Sequence, residues 1–149
     1  MKKIFLSFTV FSVIGSCNTD NDNNNEQEIS PIIGTWNQYK GEEHTSFNNK
    51  VKVHYPEGCE SENTFEFNQT HLNTVGYALS KGACVPSEAY NTQYTYDKTS
   101  KKLWYKDNNS NAVIVSKLTP TEMVTEDRTE DRDDDGIKDL VIRYFRKIK

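Results

Sequence analysis

The stretch 125–140, TEDRTEDRDDDGIKDL, holds the densest array of oxygen donors in the chain. Within it Asp131, Asp133, Asp135, Gly136 and Asp139 follow D-x-D-x-D-G-x-x-D, the spacing of aspartate-rich calcium loops. Alternate residues of a tight loop turn inward, glycine permits the bend, and Ile137 stands where such a loop offers a backbone carbonyl. Where an EF-hand places its bidentate glutamate this chain has Ile142, and residues 138–147 alternate like a strand rather than a helix. The expectation is a hairpin-borne site taking Ca²⁺ weakly, with a Kd on the order of 10⁻⁴–10⁻³ M. The alternative is a solvated acidic hairpin whose charge Arg128 and Arg132 partly offset.

Other chemistry is sparse. His44, His54 and His71 stand on separate segments, none beside a second ligand at a zinc spacing. No G-x-S-x-G elbow is present, and no nucleophile sits beside a base, so a non-enzymatic protein is expected. With 22 acidic residues a chance carboxylate pair carries no information. The formal charge is −4, and no Lys/Arg cluster matches the demand of a phosphate backbone, which excludes nucleic acid as a partner. Aromatics are numerous, with 8 Tyr, 7 Phe and 2 Trp. In LWYKD, Leu103 and Tyr105 share one face opposite Trp104, so an aromatic ring is offered either to packing or to a sugar-like or apolar ligand.

The elements that must position these residues are strands. Short alternating segments rich in Thr, Val, Tyr and Phe recur at 34–40, 50–55, 63–68, 72–79, 92–97, 102–106, 112–118, 122–127 and 138–147. Phe65 and Phe67 fall on one face of theirs, as do Val113 and Val115, and Leu140, Ile142 and Tyr144. DKTSKK and KDNNSN between strands are turn chemistry, because Asp and Asn tolerate left-handed backbone. Helix is limited to a short turn near Ser30–Ile33 or Pro86–Tyr90. Eight or nine such strands in one all-β domain of this length predict a single antiparallel up-and-down barrel, which removes the edges of an open sheet.

The N-terminus differs. Lys2 and Lys3 precede an apolar run from Ile4 to Gly15, too short for a membrane span and built like an export signal. Ile14-Gly15-Ser16-Cys17 closes it and resembles the lipobox of bacterial lipoproteins. The resemblance implies a signal peptide at 1–16, cleaved before Cys17, and lipid on that thiol and on the new N-terminus, with palmitate among the chains. Residues 17–31 then form an acylated cysteine and an Asn/Asp-rich polar tether. The lipid would fix the protein to the cell envelope, most simply the outer membrane. With Cys17 taken by lipid, Cys59 and Cys84 remain as an even pair in an oxidising setting, where a disulfide is expected.

From residue 32 to 149, IIGTWNQYK, CESENTFEFNQT, KGACVPSEAYNTQYTYDKTSKKLWY, IVSKLTPTEMV and DLVIRYFRKI resemble, in that order, the lipocalin-like domains of bacterial lipoproteins. Gly34-Thr35-Trp36 matches the G-x-W motif that opens lipocalin barrels. The resemblance implies that Trp36 closes one barrel end and that Arg143 or Arg146 on the last strand packs over it. It also implies a monomeric binding module for a small apolar or sugar-like ligand. The competing reading is a structural module with a filled barrel and a Ca²⁺-stabilised acidic hairpin, contacting an envelope protein. An interior cavity separates the two.

Overall fold

The computed structural model describes residues 30–47, 50–106 and 111–149. The expected signal peptide, Cys17 and nearly all of the tether lie outside the described residues. Nine strands follow in order: β1 (Gly34–His44), β2 (Val51–His54), β3 (Thr64–Phe67), β4 (His71–Ser80), β5 (Ala83–Asp97), β6 (Lys102–Tyr105), β7 (Val113–Leu118), β8 (Glu122–Asp127) and β9 (Leu140–Lys147). Every neighbouring pair is antiparallel, and β9 returns to pair with β1 from Trp36↔Lys147 to His44↔Leu140. The result is the expected closed antiparallel barrel, with eight strands in its wall and β2 as an extra strand.

β2 and β3 share one edge of β1. β3 pairs with Gly34–Trp36, and β2 pairs with Gly41–His44. Together they behave as one strand interrupted by residues 55–63, which hold a single 3-10 turn at Gly58–Glu62. Cys59 in that turn is bonded to Cys84 on β5, with Cα atoms 5.3 Å apart. Closing a loop of this length removes denatured-state entropy equivalent to about 3.5 kcal/mol in the chain-entropy model.

One departure from the sequence pattern has a physical cause. β5 begins at Ala83, so the helical turn expected near Pro86–Tyr90 is strand instead. Pro86 is accommodated because it lies opposite Tyr77 at a register slip and because β6 pairs with β5 only from Tyr94 onward, leaving Pro86 on an edge. The face shared by Leu140, Ile142 and Tyr144 is the outer one. Phe145 is the β9 residue in the buried core, and Tyr144 packs against Tyr39 outside the barrel.

One end of the barrel is sealed. Ser30–Ile33 form the expected turn, with the Ile33 amide donating to the Ser30 carbonyl at 3.0 Å. It folds Ile32 beneath Trp36, and both are fully buried. The Trp36 indole N–H donates to the Ile32 carbonyl at 2.8 Å, and Lys147 Nζ donates to the Ile33 carbonyl at 2.6 Å. Gly34 has φ +137°, and a Cβ there would lie 2.2 Å from Lys147 Cε and 2.7 Å from the Lys149 carbonyl, so only glycine fits.

The seam between β1 and β9 carries a register slip between Gln38 and Lys40, which puts both Tyr39 and Lys40 on the outer surface. There Glu42 is the hub. It lies 2.6 Å from Lys40 Nζ and 3.0 Å from His44 Nε2, and it accepts from the Tyr144 hydroxyl at 3.1 Å. Lys40 first, then His44, hold its carboxyl down at about 2. A depressed carboxyl contributes stability above its unfolded value and loses it as the folded group protonates. Urea midpoints should therefore fall between about pH 4.5 and pH 2 more steeply in the parent protein than in Glu42→Gln. Parallel pH profiles for the two proteins would show that the hub adds nothing.

Candidate functional site

Alternation along each wall strand aims one set of side chains inward. On β8 these are Met123, Thr125 and Asp127, and on β9 Arg143 and Phe145. With residues from β3, β4, β6 and β7 they line a partly open chamber of about 290 Å³. Its apolar wall is Phe65, Phe67, Leu72, Val113, Met123 and Phe145, with Phe65 and Phe145 in edge-to-face contact at 5.2 Å. Its polar wall is Tyr105, Thr125, Asp127 and Arg143. Toward the mouth a second cavity of about 430 Å³, lined by Gln38, Glu43, Val53, Arg132 and Val141 among others, shares Arg143 with the first.

The residue expected over Trp36 is corrected by this geometry. Lys147, not Arg143 or Arg146, stands over the indole, with Nζ 5.1 Å from the ring centre. Register decides it: Lys147 is the direct β9 partner of Trp36, Arg143 pairs with Gly41 toward the far end, and Arg146 pairs with Asn37, whose side-chain oxygen it bonds at 3.2 Å. Arg143 instead donates from a terminal guanidinium nitrogen to Asp127 Oδ2 at 3.2 Å, while Asp127 Oδ1 accepts the Thr129 amide at 3.0 Å. Neither this pair nor Tyr105 was read from sequence as part of a site. The period-two spacing of Met123, Thr125 and Asp127 was the available signal, since it places a carboxylate on the same face as a core methionine. Burial pushes the Tyr105 hydroxyl up to about 12, keeping it protonated at neutral pH.

The acidic loop lies between β8 and β9 at the mouth. It brings carboxylate oxygens of Asp131, Asp133 and Asp139 within 4.8 Å of one another. Asp135, expected as a ligand, is not among these carboxylates. Asp135 accepts from the Ser46 hydroxyl at 2.8 Å and from the Ile137 amide at 2.8 Å, so its oxygens are spent ordering the loop against the β1–β2 turn. Backbone amides serve the cluster as well: Asp131 accepts from Gly136, and Asp139 from Ser46 and Arg132. The Arg132 amide is the chief cause that lowers Asp139. Asp133 is raised, first by desolvation, and its Oδ1 is buried without a hydrogen-bond partner.

The remaining expected site residues fall on other surfaces. Trp104 pairs with Thr95 on the outer wall, where it lines a shallow groove with Thr70, Gln93 and Lys106, while its neighbour Leu103 is core. Cys59 and Cys84 form the disulfide.

The family model described as a lipocalin-like domain matches residues 32–125. Among solved structures, a deswapped triple mutant of bovine odorant binding protein is similar at 12% identity, with a TM-score of 0.40, 79% of this chain covered and 74% of the other. Aphrodisin, a sex pheromone from female hamster, is similar at 12% identity and TM-score 0.40, with 78% and 74% covered. No curated protein matches. The family match takes in the G-x-W turn, the disulfide and seven of the eight wall strands whole or nearly so, and β9 completes the closure beyond it: the chain belongs to the lipocalin-like domain family.

Proposed function

We propose that this is a lipid-anchored protein of the bacterial cell envelope whose barrel binds a small, largely apolar molecule without catalysing a reaction on it. The chamber carries the reading. Its volume of about 290 Å³ sits at the lower edge of small-molecule pockets, roughly 300–1,000 Å³, so the ligand is compact. An apolar wall supplies affinity through burial, and the polar groups on one side supply orientation. The observation favouring a protein-contact role is the exposure of Phe47 and Ile137 on connections at the mouth and of Leu79 near the end of β4.

In a direct test, 1-aminoanthracene, a small fluorescent apolar probe, should brighten on binding the domain, and Val113→Phe should abolish the effect by filling the chamber. Undiminished binding by a folded Val113→Phe protein, or none by the parent, defeats this assignment.

Anchoring is supported by the lipobox-like residues Ile14–Cys17 and by the polar segment after them. Cells fed a palmitate analogue should label the parent chain and not Cys17→Ser, with the outer-membrane fraction holding the labelled protein. Equal labelling of both would reject the anchor.

Calcium is assigned to Asp131, Asp133 and Asp139, whose carboxylates would hold the ion and whose unpartnered Asp133 Oδ1 a cation would satisfy. At about 10 mM Ca²⁺ the melting temperature should rise by a few degrees, and Asp133→Asn should lose that rise. Coincident melts with and without the metal would remove the ion.

A further inference from the structure

Tyr105 is the least explained polar residue in the barrel. It lies opposite Tyr94 across the β5–β6 ladder and lines the chamber beside Thr125, Asp127 and Arg143. The Tyr94 hydroxyl is spoken for by the Asn68 carbonyl at 2.5 Å. The Tyr105 hydroxyl has no hydrogen-bond partner among the described residues. Tyr105 is half-buried and its hydroxyl is within reach of water in the chamber, so a ligand that fills the space beside Phe67, Leu72 and Val113 displaces that water and must itself accept the proton or leave the hydroxyl unpaired at a cost.

The charges beside it decide what that acceptor is. Arg143 and Asp127 neutralise each other at 3.2 Å, and the second oxygen of Asp127 is held by the Thr129 amide. A carboxylate entering here would shed its hydration and then face Asp127 as well as Arg143, whose charge Asp127 already offsets. A hydrocarbon would displace water from the Tyr105 hydroxyl and offer it no acceptor. A ketone or alcohol oxygen accepts from Tyr105 and brings no charge to desolvate. The hydroxyl stays protonated through the neutral range, since its ionisation is pushed up to about 12.

We propose that the chamber selects a compact apolar molecule bearing one neutral oxygen, an alcohol or ketone, and that the Tyr105 hydroxyl is the group that reads that oxygen. This rests on the reading of the barrel as a ligand-binding module and adds the ligand's chemical class.

Three probes of matched shape test it by displacement of 1-aminoanthracene: 2-isopropenylnaphthalene, 2-acetylnaphthalene and 2-naphthoate. The ketone should bind about tenfold more tightly than the other two, the worth of one good hydrogen bond. Tyr105→Phe should lose about tenfold for the ketone without weakening 2-isopropenylnaphthalene. Asp127→Asn, which frees Arg143, should improve 2-naphthoate selectively and gives a second reading if Tyr105→Phe folds poorly. Equal affinities for all three probes, unmoved by either variant, overturn the selection while leaving the chamber as a binding site. Preference of the parent protein for 2-naphthoate overturns it in the other direction. Failure of every probe, 1-aminoanthracene included, overturns the ligand-binding reading and this inference together.

Discussion

Pairing of β1 with β9 is the constraint from which the rest follows. It joins residues about a hundred positions apart, so the entropy of closing that span is offset only by the full ladder from Trp36↔Lys147 to His44↔Leu140 and by the side chains stitched across it. Without it the sheet would have two free edges, and the inward faces of β8 and β9 would have nothing opposite them. The slip near Tyr39 belongs to the same device. It shifts one extra side chain outward and increases the local twist that a closed wall of few strands requires.

Closure sorts the interior by level. At the floor are Ile32 and Trp36, with Lys147 serving as both hydrogen-bond donor and cation above the indole. Midway are the phenylalanines, Leu72 and Val113, and beside them the Tyr105, Thr125, Asp127 and Arg143 group. At the mouth the carboxylates of the β8–β9 connection are organised by amides of the β1–β2 turn, so two separate connections hold each other in place. The disulfide acts on the wall itself. It fastens the excursion that interrupts the strand opposite β1 onto β5, at a place where β3 has ended and β4 has lost its ladder partner on that side.

Strands were legible in the sequence because period-two alternation is imposed by a wall with one buried and one wetted face, and Phe65/Phe67 and Val113/Val115 show it plainly. The upper half of β5 was not. Both its faces are largely exposed and it contains Pro86, so neither alternation nor propensity marks it. The cation over Trp36 was misplaced for a different reason. Cross-strand register depends on a slip at Tyr39 and on where β9 begins, and no local pattern records either, whereas the choice among Arg143, Arg146 and Lys147 depends on both. In the acidic loop, spacing identified aspartates of the right kind but not that Ser46, remote in sequence, would engage Asp135.

Residues 30–33 and 147–149 are gathered at the same sealed floor, the Thr35 amide donating to the Lys149 carbonyl at 2.9 Å and the Ile148 amide to Thr35 at 2.8 Å. A sensor surface coupled through an added peptide at either of these points would stand behind the barrel, with the aperture facing bulk solution. Grafted sequence in the connections around that aperture could then vary without touching the attachment.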